Sequence, residues 1–198
     1  MVAIAVVLAS CLLSLTSVVL AGQPTTVILV RHAERPPGAN PSLSPVGLKR
    51  AARLGEVLQN VELNAVFATQ YCRTAQTAQP TALKASVPIQ IFPTAEGEVD
   101  FSTCDPPIER IGKVHRFQAN HARDLAQIIL SDYSGQTVLI VGHSDTIPAL
   151  IAELGGPVLC PEPFPLVDGE CHIFSGEHDN LFILTITENG TSFLRLRY

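Results

Sequence analysis

The sequence predicts an α/β protein: a three-layer αβα sandwich whose central sheet is mostly parallel and carries a C-terminal antiparallel hairpin. Short runs rich in β-branched residues alternate along the chain with segments of helical periodicity, which is the pattern of βαβ units. The last segment instead contains two alternating runs around Glu188-Asn189-Gly190, a turn sequence typical of a hairpin. Together these patterns predict parallel strands in the body of the protein and antiparallel strands at its end.

The predicted elements of the first half follow from local signals. Residues 25–30 form an apolar β-rich run and are the first predicted strand. In "LSPVGLKRAARLGEVLQ", Ser44 is placed to cap a helix and Pro45 lies in its first turn, while apolar residues recur on one face. "AVFAT" is the second strand. "YCRTAQTAQPTAL" begins a second helix, which Pro80 is expected to kink or end.

The second half repeats this alternation. "VPIQIF" is the third predicted strand, and a loop rich in Pro, Gly and acidic residues follows it. "ANHARDLAQIILSDY" has helical periodicity, and "QTVLIVGH" is the most strand-like segment of the chain. "LFILTITENGTSFLRLRY" then forms the terminal hairpin.

The composition fits one domain. The chain has 198 residues, of which 46% are hydrophobic, so it can bury a substantial core, whereas two domains would be a tight fit. The formal net charge is −5 at pH 7 and the basic residues are scattered singly, which argues against nucleic acid as a partner. We therefore predict a single domain over residues 22–198, in which any anion site is local.

Residues 1–21 are predicted to be an export signal. The segment "MVAIAVVLASCLLSLTSVVLAG" carries no charge, and Val19-Leu20-Ala21 is an acceptable cleavage context. The usual positive charge at the start is missing and about 20 apolar residues can span a bilayer, so an N-terminal membrane anchor is the alternative. "LASC" at residues 8–11 resembles a lipoprotein cleavage box, but too few apolar residues precede it. We expect an exported protein, periplasmic or secreted.

Two predicted strands end on a histidine, in "VILVRHAER" and "VLIVGHSDT". Ligands of parallel α/β sheets bind outside the carboxyl ends of the strands, so His32 and His143 are expected to face one another across one site. "ATQYCRT" places Arg73 at the same edge of the sheet. Convergence of Arg31, Arg35 and Arg73 is costly unless an anion neutralises them. A phosphoryl group fits best, because guanidinium groups bind its oxygens in pairs and helix N-termini offer free N–H groups.

Four separated motifs, "VRHAER", "LSPVGLKRA", "RTAQTA" and "VGHSDTIP", resemble in order and spacing those of the histidine phosphatase superfamily, which has the phosphoglycerate-mutase-like fold. The resemblance covers residues from about 25 to 156. It implies that His32 is the nucleophile that forms a phosphohistidine. The implied phosphate pocket consists of Arg31, Arg35, Arg73 and His143. The implied mechanism needs no metal and no other cofactor, and its partner is a small phosphorylated substrate.

The resemblance leaves open which residue is the general acid, the group that protonates the leaving oxygen. In many relatives a glutamate in the loop after the third strand serves, which makes Glu96 the preferred catalytic candidate and Glu98 the next. Another branch uses an aspartate that directly follows its second histidine. Asp145 lies two residues after His143 and so departs from that pattern. Glu34 is expected to point away or to pair with an arginine rather than to act in catalysis.

Cysteine usage agrees with export. Removal of residues 1–21 leaves four cysteines, and an even number in an exported chain indicates disulfides, with three connectivities open. Proximity in sequence favours Cys160 with Cys171 and Cys72 with Cys104. A metal site is less favoured, because no cysteines have C-x₂-C spacing and the histidines outside the motifs show no metal-ligand spacing.

The leading hypothesis is an exported, metal-independent phosphatase that hydrolyses a phosphomonoester or a terminal phosphoanhydride through a phosphohistidine on His32. One alternative is a catalytically degenerate module that holds a phosphorylated ligand without turnover. Another is a phosphoglycerate-mutase-like phosphotransferase, which is less favoured because the chain is short and is predicted to leave the cytoplasm. An α/β domain whose motifs match by chance would bind neither phosphate nor vanadate.

Overall fold

A computed structural model describes residues 22–198, and the predicted signal or anchor at residues 1–21 lies outside the described residues. The strands are β1 (Thr25–Arg31), β2 (Ala65–Ala68), β3 (Ile89–Ile91), β4 (Ile111–Val114), β5 (Thr137–Gly142), β6 (Leu166–Val167), β7 (Glu170–Cys171), β8 (Asn180–Thr187) and β9 (Gly190–Arg197). The helices are α1 (Pro45–Val57), α2 (Cys72–Ala85), α3 (His121–Asp132) and α4 (Thr146–Glu153).

The main sheet has the strand order β4-β3-β2-β5-β1-β8-β9, and β6 pairs with β7 in a separate ribbon. The five strands from β4 to β1 run parallel. β8 runs antiparallel to β1, and β9 antiparallel to β8. The predicted mostly parallel sheet with a C-terminal antiparallel hairpin is therefore confirmed.

Both faces of β1 are covered, which produces two cores. Val27 and Leu29 contribute to the core shared with α3 and α4, whereas Ile28 and Val30 contribute to the core shared with α1 and α2. A strand buried on both faces is expected to be apolar at successive positions, as β1 is. The sheet thus lies between two helical layers, as the predicted three-layer sandwich requires.

The start of α1 agrees with the prediction, whereas the end of the predicted second helix does not. The Ser44 side chain accepts a hydrogen bond from the backbone N–H of Gly47, as expected of a helix cap. Pro80 does not end α2, which continues to Ala85. The physical reason is packing: α2 is buried against α1, and the absence of a side chain at Gly55 lets Pro80 approach closely. Packing of this kind stabilises helices more than local propensity does.

Two disulfides have the favoured connectivity. Cys72 pairs with Cys104 and Cys160 with Cys171, with Cα–Cα distances of 5.5 and 5.6 Å. Cys72 is the first residue of α2, so its bond ties the start of that helix to the loop between β3 and β4. Such bonds are consistent with an extracellular location. Within residues 22–198, no helix is long and apolar enough to cross a membrane.

Replacing both Cys72 and Cys104 by Ser is expected to lower the free energy of unfolding by roughly 4 kcal/mol, because the bond closes a long loop in the unfolded chain, with a sequence separation of 32. Urea denaturation followed by circular dichroism measures the change. The matched control replaces Cys160 and Cys171 by Ser. Their separation is only 11, so the control should lose about 1 kcal/mol less. A larger loss in the control would contradict this explanation.

Candidate active site

The ends of β1 and β5 bring the two motif histidines together. In the parallel pairing of these strands, Arg31 lies opposite Gly142. The next backbone N–H, that of His32, donates to the Gly142 carbonyl at 2.9 Å. The ring centroids of His32 and His143 are 5.4 Å apart. The sheet register thus produces the predicted juxtaposition.

His32 is a buried neutral base with a defined tautomer. Its side chain is only 4% exposed, and Nδ1 lies 2.8 Å from the carbonyl oxygen of Ala33. A carbonyl can only accept, so Nδ1 carries the ring proton and the lone pair is on Nε2. Burial lowers the pKa of His32 to about 3; the charges of Arg31 and Arg73 act in the same direction, and the bond to Ala33 opposes them. At neutral pH the ring is therefore uncharged, and the lone pair on Nε2 is free to act as a base or nucleophile.

Arg31 and Arg73 supply unpaired donors beside this ring. Arg31 Nη1 donates to the carbonyls of Phe174 at 2.8 Å and Ser175 at 3.1 Å, and Arg73 Nη1 donates to the Ala39 carbonyl at 3.2 Å. The Nε atoms of both arginines are buried and have no hydrogen-bond partner among the described residues. Burial lowers the pKa of both guanidinium groups. Buried N–H donors without partners are uncommon, so their concentration here indicates an anion site.

Arg35 completes the predicted cationic cluster from the solvent side. It is exposed, and its Nη1 donates to the carbonyls of Pro36 at 3.1 Å and Gly38 at 3.3 Å. After burial, its charge is the main influence that lowers the pKa of Arg31 and of Arg73. The three cations therefore repel one another, and an oxyanion between them would remove that cost.

Hydroxyl groups from the second strand–helix connection orient His143. Its Nε2 lies 2.9 Å from Thr69 Oγ1, which lies 2.9 Å from Thr74 Oγ1. Its backbone N–H donates to Thr146 Oγ1 at 2.7 Å. Burial lowers the pKa of His143, and the charges of Arg73 and Arg31 add to this effect. Thr69 and Thr74 were not predicted to belong to the site, because threonines carry no distinctive sequence signal.

Tyr71 is a further residue that sequence reasoning missed. The Arg73 guanidinium lies 4.2 Å from the centroid of the Tyr71 ring, and the same ring packs edge-on against His143 with centroids 5.4 Å apart. A cation over an aromatic face is attracted by the ring quadrupole. Tyr71 thus connects the arginine and the histidine that the sequence predicts in one pocket.

The carboxylates differ in their relation to the arginines. The negative charge of Asp145 raises the pKa of Arg31 and of Arg73, opposing the effect of burial. Glu96 and Glu98 are exposed in the loop after β3, and within residues 22–198 neither forms a hydrogen bond or an ion pair. Asp145 therefore interacts electrostatically with Arg31 and Arg73, whereas no contact between these arginines and Glu96 is found in the described part of the chain.

The Glu34 side chain pairs with an arginine, as predicted. Its carboxylate accepts hydrogen bonds from Nε and Nη2 of Arg50, and the shorter oxygen–nitrogen distance is 2.6 Å.

Within residues 22–198, no group of three or more His, Cys, Asp or Glu side chains is arranged to hold a metal ion.

A groove of about 460 Å³ opens beside Asp145. It lies between the first turn of α3 and the exposed side of α4, and its lining includes Arg123, Glu153 and Leu159. Asp145 lines the groove and its charge also acts on the arginines, so a ligand could extend from the cationic cluster into this space.

The fold is α/β, and a cluster of histidines and arginines lies at the carboxyl edge of its parallel sheet. Residues 27–105 match the family model described as "Histidine phosphatase superfamily (branch 1)". This match over part of the chain, together with the fold, confirms the resemblance to this superfamily and to its phosphoglycerate-mutase-like architecture that the four motifs predict.

Solved phosphatase structures share the fold. A mycobacterial glucosyl-3-phosphoglycerate phosphatase is 14% identical with a TM-score of 0.57, and the alignment covers 89% of this chain and 99% of that one. A phosphoserine phosphatase from Entamoeba histolytica is 16% identical with a TM-score of 0.55, and the alignment covers 88% of this chain and 97% of that one. The protein histidine phosphatase SixA, in complex with tungstate, is 17% identical with a TM-score of 0.54, and the alignment covers 87% of this chain and 96% of that one. A search of curated protein sequences finds no match to this chain.

We expect the free energy of unfolding to decrease as the pH falls below about 6.5, because histidines of the unfolded chain then bind protons that buried His32 does not. With a folded-state pKa of about 3, His32 alone should cost about 2 kcal/mol at pH 5 relative to pH 8. Urea denaturation at both pH values measures the loss. His32→Asn should lose about 2 kcal/mol less than the parent. Equal losses of unfolding free energy in the parent and in His32→Asn would contradict a lowered pKa of His32 in the folded protein.

Proposed function

We propose that this protein is an exported phosphatase that hydrolyses a phosphomonoester or a terminal phosphoanhydride through a phosphohistidine on His32. The observation that carries the proposal is the placement of a neutral, buried His32 beside buried N–H donors of Arg31 and Arg73 that have no partner. This combines a nucleophile with unpaired N–H donors that can bind an oxyanion.

Substrate binding follows from the charges. A phosphoryl group between Arg31 and Arg73 accepts hydrogen bonds from their two Nε–H donors. Its negative charge also offsets the repulsion between the two guanidinium groups. Arg35 approaches from solvent and can contact the phosphoryl group or the group attached to it. Tungstate in the SixA complex is an oxyanion bound by a protein of this fold, which supports the same kind of ligand here.

The first chemical step is displacement at phosphorus. The lone pair of His32 Nε2 forms the N–P bond while the bond between phosphorus and the leaving oxygen breaks, and its electron pair stays on that oxygen. The Nδ1–H bond to the Ala33 carbonyl stabilises the ring as it gains positive charge. The arginines stabilise the equatorial oxygens, where most of the negative charge of the transition state lies. His143, whose ring lies beside that of His32, can donate its ring N–H to one of these oxygens as a neutral group.

We assign proton transfer to Asp145, because its charge acts on the arginines that bind the phosphoryl group. In this role Asp145 enters the first step as a carboxylic acid. Its proton passes to the leaving oxygen. In the second step the carboxylate takes a proton from water as the water oxygen attacks phosphorus, the N–P bond breaks, and inorganic phosphate leaves. Glu96 stays a prediction for the same role.

Export is part of the proposal and is supported by the two disulfides together with the apolar segment at residues 1–21. The structural relatives include a glucosyl-3-phosphoglycerate phosphatase, a phosphoserine phosphatase and a protein histidine phosphatase. For this chain they support a phosphorylated substrate of small or moderate size, whose leaving group would extend toward the groove beside Asp145.

Residues 22–198, oxidised and in EDTA, should hydrolyse 4-nitrophenyl phosphate, and His32→Asn should lower kcat at least about 1,000-fold, because the nucleophile is absent. Acid-labile, base-stable labelling of the parent by a ³²P-phosphate donor checks the phosphohistidine directly. Vanadate affinity of the parent is the control for an intact pocket. Turnover that needs a metal ion, or that survives in His32→Asn, would contradict the mechanism. Vanadate binding without turnover would support the binding-module alternative.

Asp145→Asn should lower kcat/KM about 100-fold or more for an alkyl phosphate and only slightly for 4-nitrophenyl phosphate, because only the poor leaving group needs a proton. Parallel assays with the two substrates measure the difference. Glu96→Gln is the matched variant and should affect neither substrate. If Glu96→Gln shows the selective loss instead, the preferred sequence prediction is right and the assignment to Asp145 is wrong.

A further inference from the structure

Residues 174–178, here called the 174–178 turn, connect the β6–β7 ribbon to β8 and contact both functional residues at the end of β1. The carbonyls of Phe174 and Ser175 accept hydrogen bonds from Arg31 Nη1. At the other end of the turn, His178 Nδ1 lies 2.7 Å from the backbone carbonyl oxygen of His32. One short segment therefore contacts the proposed nucleophile and a proposed phosphate ligand.

We propose that His178 is a positioning residue, which holds the backbone of His32 so that Nε2 points at phosphorus; this inference rests on the proposed function of His32. The His178 ring lies beside the His32 ring, with centroids 5.6 Å apart. Because a carbonyl can only accept, His178 Nδ1 carries a proton and donates it to the His32 oxygen.

His178 completes the set of bonds around the nucleophile. The N–H of His32 is bonded to Gly142 of β5, and its ring Nδ1–H is bonded to the Ala33 carbonyl. The bond from His178 to the remaining backbone group of His32 thus fixes the residue from a third direction. The backbone direction at His32 matters here, because the strand register of β1 with β5 ends at Arg31 and Gly142, one residue before the nucleophile.

The turn itself is held by ion pairs with the terminal hairpin. Glu177 contacts Arg195 at 3.2 Å and Arg197 at 2.6 Å, and Asp179 contacts Arg197 at 2.7 Å. These pairs flank His178 on both sides. A donor on an anchored segment can fix geometry to the precision that in-line attack requires, where a displacement of about 1 Å costs roughly 100-fold in rate.

His178 serves this role as a neutral group. Burial lowers its pKa, and the charges of Arg31 and Arg50 add to this effect, while the bond to His32 and the charge of Glu34 oppose it. A neutral donor leaves the electrostatics of the phosphate pocket unchanged. The expected defect of a variant without the donor is therefore in the rate of attack and not in the binding of phosphate.

The test compares His178→Ala with His178→Asn, whose side-chain amide can occupy the place of Nδ1. His178→Ala should lower kcat at least about tenfold and slow labelling of His32 by ³²P equally, with the Ki of inorganic phosphate within about threefold of the parent. His178→Asn should recover most of the loss. His172→Ala is the matched control, because His172 lies just before the same turn and contacts Ser144 instead of His32.

An unchanged kcat in His178→Ala would overturn the inference. So would parallel losses of phosphate affinity and thermal stability with no recovery in His178→Asn, since these would show a merely structural role. The proposed function fails separately: a parent protein that neither turns over nor labels at His32 would overturn the phosphohistidine itself, whatever the variants do.

Discussion

Parallel pairing of β1 with β5, with Arg31 opposite Gly142, is the constraint on which the site depends. It brings His32 and His143 to one edge of the sheet although 111 positions separate 32 from 143 in the sequence. The pairing is maintained by burial of both strands between two helical layers. A slip by one residue would reverse the faces of an entire strand, so the cores and the site specify the same register.

The site concentrates positive charge in a partly buried place, where burial and mutual repulsion both disfavour the charged arginines. Most features of the site are related to this energetic cost. Burial lowers the pKa of His32 and His143 and keeps both rings neutral, so that the arginines carry the charge. Asp145 opposes part of the repulsion. The remaining unpaired N–H donors are the reason to expect an oxyanion, because donors of this kind are rarely left unpaired in folded proteins.

The pocket is assembled from segments far apart in the chain. The family match ends at residue 105, whereas His143 and the 174–178 turn lie beyond it. The hairpin of β8 and β9 extends the sheet and anchors the turn through Glu177 and Asp179. The C-terminal region thus contributes directly to the neighbourhood of His32 and does more than complete the core.

By itself, the sequence determined the alternation of strands and helices, the strand-end histidines and the arginines near them, because period, capping and motif are local properties. Tertiary structure decided what depends on distant contacts. The helix α2 continues past Pro80 because it packs closely against Gly55. The threonines that contact His143 directly or through one another carry no signal in the sequence. The electrostatic interaction of Asp145 with Arg31 and Arg73 likewise depends on the fold. His178 meets His32 across 146 residues, a proximity that only the folded sheet creates.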